Sequence, residues 1–304
     1  MASLLSTTLN IGARLAPGLT GARAFALFVR PLGRARLRPD EAELMGRAET
    51  AGLLVRGIPV TTYRWVGGDG GGGGGGNGGN GGGGGGGGGD RPVLVVHGWS
   101  SRASRFAGII EALRAQGRTV IAFDTPGHGE SGGRASTILD YRAIIRRLHA
   151  EHGDFSAVVA HSFGVLATFF MLRDGVRADR VVAIGGVGDF DYLLDRFCAG
   201  LRLNEEVRAV LRGHVERRLF PGEPDIWQRL DAGRRQADLA APILLVHDAD
   251  DDVAAPAQSR TIAAAYGSQA RLIETSGLGH RRILAHPEVI AAAAEFATSP
   301  AVSR

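Results

Sequence analysis

Ser162 stands where a hydroxyl could become a nucleophile. An apolar, β-branched run over 157–159 leads into Ala160-His161-Ser162-Phe163-Gly164, and an apolar helical pattern begins at Val165. A serine at a sharp strand-to-helix turn needs small residues two before and two after it, because the two backbones pass close together there. Such a turn lifts the hydroxyl clear of the sheet and leaves backbone N–H groups free to bind an oxyanion. The usual pattern has Gly at both small positions. Ala160 replaces the first and keeps the size requirement. Alone, a small-x-Ser-x-Gly run reads equally well as a buried strand followed by a helix, so companion residues have to decide.

A hydroxyl nucleophile needs a base, and the base needs an orienting acid. His280 is the candidate base, in Ser276-Gly277-Leu278-Gly279-His280, a turn after the last predicted strand. Asp251 is the candidate acid, at the C-terminal end of the preceding strand. The order Ser162, Asp251, His280 puts each residue in a loop after a strand, where all three can converge on one sheet edge. Asp250, Asp251 and Asp252 form a triplet of which only one need point inward. Asp189, after the strand ending near Gly185, is the rival acid. Two backbone N–H groups should form the oxyanion hole: that of Phe163, just after the serine, and that of Trp99, in the loop opened by His97-Gly98-Trp99. His97 and His128 read as structural.

These residues need a frame. Apolar runs predict strands at 58–66, 93–96, 119–123, 156–161, 181–185, 242–247 and 270–274, with helical periodicity near 103–116, 136–152, 163–174, 256–266 and 286–297. That alternation implies a mostly parallel sheet with helices on both faces. Residues 187–240 break the rhythm with short helical patterns, and read as a cap over the C-terminal edge of the sheet, where open α/β sheets bind ligands. Their aromatics Phe190, Tyr192, Phe197 and Trp227 are candidate substrate contacts. Residues 67–89 are all Gly except Asp69, Asn77 and Asn80. They read as a disordered, overgrown tip joining strands 58–66 and 92–96 into a hairpin. Residues 1–50 form a helical extension, with one amphipathic helix over about 9–29 that packs Leu15, Leu19, Phe25 and Phe28 on the domain.

Composition narrows the chemistry. The chain has 304 residues, a net charge of +4 and a single cysteine, Cys198, which excludes an internal disulfide framework and suits a reducing, cytoplasmic compartment. No Lys occurs, which excludes a Schiff-base or phosphate-loop lysine. No apolar run approaches the roughly 18 residues of a membrane span, and the N-terminus lacks the pattern of a secretory signal. Before Asp40 the only charged side chains are arginines: Arg14, Arg23, Arg30, Arg34, Arg36 and Arg38. Such a segment suits peripheral contact with a membrane surface. No aromatic-interleaved basic motif points to nucleic acid, and neither metal nor cofactor is called for.

The combination of His97-Gly98-Trp99, Asp124 with Gly127-His128-Gly129 and Ser131, Ala160 to Gly164, the Asp251 loop and Gly279-His280 resembles the α/β-hydrolase superfamily over about 57–298. The resemblance implies an eight-stranded, mostly parallel sheet and a Ser-His-Asp hydrolase with nucleophile Ser162, acid Asp251, base His280 and oxyanion donors Trp99 and Phe163. Asp248 departs from the Gly common at its position. The expected activity is hydrolysis of a carboxylic ester or similar acyl compound, the substrate being a small and apolar acyl molecule. Carbon–carbon or thioester hydrolysis with the same triad, or a non-hydrolytic small-molecule receptor, are the alternatives.

Overall fold

The computed structural model describes residues 2–68, 91–234 and 239–300. Its strands are β1 (Glu49–Val55), β2 (Ile58–Trp65), β3 (Val93–Val96), β4 (Val120–Phe123), β5 (Ala157–His161), β6 (Val181–Ile184), β7 (Ile243–Asp248) and β8 (Ala270–Thr275). They form one eight-stranded sheet in the order β1-β2-β4-β3-β5-β6-β7-β8. Pairing is antiparallel for β1 with β2 and β2 with β4, and parallel from β4 through β8.

The helices are α1 (Ala2–Leu15), α2 (Pro17–Phe28), α3 (Pro39–Gly46), α4 (Ala107–Ala115), α5 (Ile138–His152), α6 (Phe163–Arg173), α7 (Phe190–Leu201), α8 (Glu205–Leu219), α9 (Ile226–Arg229), α10 (Ala257–Tyr266), α11 (Gly279–Arg282) and α12 (Pro287–Thr298). The inner strands are buried on both faces, which explains their unbroken Val, Ile and Leu runs. Successive side chains alternate between two cores. Leu94, Val96, Val158 and Ala160 face α5, α6 and residues of the 187–240 segment, while Val93, Val95, Ala157 and Val159 face α4 and α12. Helices α7 to α9 occupy the interval between β6 and β7.

Three expectations need correction. Strand β1 was not legible in the sequence. It is an edge strand, exposed along most of its length, and carries Gly52 at its centre, so no inward-outward alternation marks it. The hairpin involving β2 is with this strand, through Arg56 and Gly57, both at positive φ. That is the two-residue turn geometry favoured between antiparallel strands. Accordingly β2 and β3 do not form a hairpin: β4 lies between them, and Trp65 and Val93 both pair with Val120. The connection from β2 to β3 therefore passes β4 instead of closing a hairpin. Residues 69–90 of that connection lie outside the described residues. Where the crossover begins, a Cβ at Gly67 would sit 2.3 Å from the Gly117 backbone, so the chain leaves β2 pressed against the α4–β4 turn.

The third correction concerns the N-terminal helix, which is two helices. Pro17 lacks the N–H that would continue α1 and instead starts α2. The break resets which side faces inward. Leu9, Ala13 and Ala24 are buried and Phe25 and Phe28 pack on the core, but Leu15 and Leu19 are 79% and 57% exposed. Helix α3 is fixed differently: the Trp65 indole N–H donates to the Leu44 carbonyl at 2.9 Å. Among the described residues no helix is long and apolar enough to cross a membrane.

The crossover geometry sets a length requirement. Two strand spacings, about 10 Å, separate Trp65 from Val93, and the link must detour around β4. Replacing residues 66–92 by an Asn-Gly pair should therefore destabilise the protein severely, whereas a link of about eight residues, which reaches about 26 Å when extended, should leave the thermal midpoint within a few degrees. Calorimetry on both variants checks this. Equal stability of the two would show that β2 and β3 can pair directly.

Candidate active site

At the end of β5 the chain turns into α6 through Ser162, whose φ of +57° and ψ of −124° lie in a region that L-residues rarely occupy. Packing enforces the strain. A Cβ at Gly164 would lie 2.4 Å from the Val96 carbonyl oxygen, and one at Gly98 would lie 2.6 Å from the Ser162 Cβ. Helix α6 thus rests directly on the end of β3, and only glycine fits at either contact. Ala160 is fully buried between Val96 and Ala183 with its methyl in the core, which is why the usual Gly is dispensable there.

The structure brings Ser162, His280 and Asp251 together. His280 Nε2 lies 3.0 Å from Ser162 Oγ, and His280 Nδ1 lies 2.7 Å from Asp251 Oδ2. All three side chains are buried or nearly so. The other Asp251 oxygen accepts the Val253 and Ala254 N–H groups at 2.9 and 2.8 Å. Burial by itself would raise the Asp251 pKa. Hydrogen bonds from His247 and His280 and the Ala254 N–H outweigh it and hold the carboxyl well below the usual carboxylate range. A carboxylate in this position favours the His280 tautomer that carries hydrogen on Nδ1 and offers a bare Nε2 to the serine hydroxyl.

Each member of the aspartate cluster faces a different way. Asp251 points inward. Asp250 accepts the Gly277 N–H, and the Asp252 carbonyl accepts from Arg196. The rival Asp189 is not directed at His280: its carboxylate caps α7 by accepting the Asp191 N–H. Sequence reasoning missed Asp248. Its carboxylate accepts the Gly279, Leu278 and Asp250 N–H groups and the Thr275 hydroxyl, and so ties the His280 loop to the end of β7. The only signal was its departure from Gly at that position. His247 was also passed over. It bridges the Ser259 hydroxyl and the Ala254 carbonyl beneath Asp251.

The candidate oxyanion donors are the N–H groups of Phe163 and Trp99. Phe163 is the first residue of α6, so its N–H has no acceptor within the helix, and neither that group nor the Trp99 N–H finds a partner among the described residues. Histidines 97 and 128 brace the loop that carries Trp99. His128 Nε2 accepts the Ser100 N–H at 3.0 Å, and His97 Nε2 accepts the Thr125 N–H at 3.1 Å. Below them Asp124 accepts the Ala103 N–H, the Glu130 N–H and the Tyr63 hydroxyl. Gly129 approaches that carboxylate too closely for any side chain. His161, next to the serine, donates from Nε2 to the His280 carbonyl at 2.8 Å.

An apolar cavity of about 230 Å³ opens at Ser162. Phe190 and Phe197 line it, as expected, and so do Leu193 and Leu219. Tyr192 and Trp227 do not. The Tyr192 hydroxyl accepts the Ala255 N–H at 2.9 Å and so supports the Asp251 loop from outside. Trp227 packs behind Phe190, with the Arg212 guanidinium 4.1 Å from its ring centre and its N–H donating to Glu216. Their polar edges draw both residues away from the apolar cavity and toward partners at its rim. In their place the N-terminal segment contributes Phe28 and Val29, with Phe28 set edge-on against Phe190 and Phe197. Among the described residues no group of three or more His, Cys, Asp or Glu is arranged to hold a metal ion.

A family model described as an alpha/beta hydrolase family matches residues 93–293. No curated protein matches the chain. Solved structures do. An esterase of Pyrococcus furiosus superposes with a TM-score of 0.58 at 18% identity, over 88% of this chain and 96% of that one. A thioesterase domain from the curacin biosynthetic pathway gives 0.54 at 17%, over 83% and 99%. A monoacylglycerol lipase of Paleococcus ferrophilus gives 0.51 at 20%, over 69% and 96%. At these identities the likeness is one of fold.

The buried histidines make stability pH-dependent. Burial lowers the pKa of His97, and burial followed by a neighbouring histidine pushes those of His128 and His161 down to about 3. Below about pH 6.5 the unfolded chain takes up protons on these groups and the folded chain does not. Stability is therefore full above that value and falls as the pH drops toward about 3, by at most about 1.4 kcal/mol per pH unit for each histidine. Urea midpoints at about pH 7 and about pH 5, above the range in which ordinary carboxylates titrate, should differ clearly. Equal midpoints would contradict buried neutral histidines.

Proposed function

The chain belongs to the alpha/beta hydrolase family, and on that premise we propose that it is a serine hydrolase that cleaves a carboxylic ester or related acyl compound. One observation carries the reading: an unbroken hydrogen-bonded chain from Asp251 through His280 to Ser162, ending at the mouth of an apolar cavity. In this reading Ser162 Oγ attacks the acyl carbon while its proton passes to His280 Nε2. The Trp99 and Phe163 N–H groups stabilise the oxyanion. As the bond to the leaving group breaks, His280 hands it the proton, leaving an ester on Ser162. Water, deprotonated by the same nitrogen, attacks that ester and releases the acid and the free serine. Asp251 stays ionised throughout and stabilises the imidazolium.

Residues 187–234 of the cap and the N-terminal segment close over the acyl group. Phe28, Phe190, Leu193 and Phe197 give it apolar walls, which favours acyl chains by roughly 0.8 kcal/mol per buried methylene. A cytoplasmic setting suits the single cysteine, Cys198, which is buried.

Fluorophosphonate labelling and turnover of acyl esters of increasing chain length test the reading. Ser162→Ala should abolish labelling and cost several orders of magnitude in kcat with the fold intact. Asp251→Asn should cost about four orders, and Asp189→Asn little. Near-normal turnover by Ser162→Ala, or a crippled Asp189→Asn beside an active Asp251→Asn, would refute the assignment.

A peripheral membrane contact for the N-terminal helices is supported by the exposure of Leu4, Ile11, Leu15, Leu19 and Leu32 on a segment whose only charged side chains before Asp40 are arginines. The protein should co-sediment with vesicles containing anionic phosphatidylserine and release at high salt. Substituting Leu15 and Leu19 by Ser should weaken binding without changing stability. Absence of sedimentation at low salt would exclude this contact.

A further inference from the structure

A second cavity, of about 340 Å³, meets the apolar one at Ser162, with Trp99 and Val253 shared between them. Its character is opposite. Arg38, Arg105 and Arg281 line it together with Ser100 and Ser101, and no carboxylate does. The guanidiniums are only partly compensated. Glu41, buried behind the wall, binds Arg105 directly and lies 3.9 Å from Arg38 Nε. Arg281 makes no ion pair among the described residues. Three cations against one anion leave a surplus of two positive charges on one side of the serine.

We propose that the substrate joins an apolar acyl group to a phosphate-bearing alcohol or thiol, and that this second cavity holds the phosphate-bearing part. The inference rests on the serine-hydrolase reading above. The acyl carbon sits at Ser162, so the two halves of the substrate must diverge from it. The apolar cavity takes the acyl chain. What leaves when the ester or thioester bond breaks lies on the arginine side, beside His280, which must protonate it. A phosphate monoester carries a charge of about −1.5 to −2 at neutral pH, which matches the surplus. Planar guanidiniums bind phosphate oxygens in pairs. Both cavities draw walls from residues 28–38, outside the span matched by the family model: Phe28 and Val29 on one side, Ala35 and Arg38 on the other. The N-terminal segment thereby acts as a specificity element of this chain.

The test compares kcat/KM for three substrates that share one medium-length acyl group: the neutral glycerol ester, the glycerol phosphate ester and the coenzyme A thioester. At least one phosphate-bearing substrate should exceed the glycerol ester by about tenfold or more, the scale of one charge-assisted contact. Which of the two it is identifies the source as an alcohol or a thiol. Arg281→Gln should erase most of that advantage, and Arg281→Glu should invert it. Arg38→Gln, on a different element, supplies an independent loss should either Arg281 variant misfold. A glycerol ester turned over as well as both charged substrates, or an Arg281→Glu variant that lowers all three equally, would overturn the inference while leaving the serine-hydrolase reading standing. Failure of fluorophosphonate labelling together with absence of turnover on all three would overturn both.

Discussion

At the β5–α6 turn the backbone of residues 160–164 passes so close to the end of β3 that neither Gly98 nor Gly164 has room for a side chain. This contact holds Ser162 in its strained conformation, at a cost on the order of 1–3 kcal/mol. Strain of that size persists only if the neighbours are rigid. Here they are β3 and β5, paired with each other and buried on both faces of the sheet. The same close approach sets the Phe163 N–H at the open start of α6 and brings the loop after β3, with its Trp99 N–H, alongside the serine. The strained serine and the two candidate oxyanion donors are thus placed by one backbone contact.

A second layer of polar groups positions what the sheet alone cannot. The loops after β3, β7 and β8 contain few apolar anchors, and hydrogen bonds to buried or half-buried side chains fix them instead. Asp124, His97 and His128 hold the first, while Asp248 and Asp250 tie the His280 turn to the end of β7. Buried acceptors with several partners are costly to leave unmet, so each loop has one arrangement that satisfies them. The neutral state of the buried histidines belongs to this logic, because His97 and His128 accept backbone N–H groups and could not do so if doubly protonated.

The N-terminal helices add a third layer, outside the residues 93–293 that the family model matches. Helices α1 and α2 pack on α8, and residues 28–38 then run past the serine to meet both cavities. One stretch of chain, with apolar residues at one end and arginines at the other, thereby gives the two sides of Ser162 different character.

The parallel sheet and its inner strands were determined by local composition, and the Ser162 turn by local composition together with its companions Asp251 and His280. Unbroken β-branched runs have no stable alternative to a strand buried on both faces, and a small-x-Ser-x-Gly run between a strand and a helix has few geometries. The order Ser162, Asp251, His280 was readable because each residue follows a strand that could be recognised on its own. The antiparallel edge was not: β1 is exposed and carries no alternation, and nothing local reveals that β4 inserts between β2 and β3. Strand neighbours are chosen by long-range packing, to which a glycine-rich link contributes no signal. Pocket membership was likewise decided by tertiary structure. Phe190 and Phe197 point into the cavity, but Tyr192 and Trp227 have polar edges that find partners elsewhere, and Phe28 reaches the site from far away in the chain. The sequence specified which side chains are apolar. Only the packing of α2 against α7 and α8, after Pro17 had broken the helix and reset its inward face, decided which of them surround the serine.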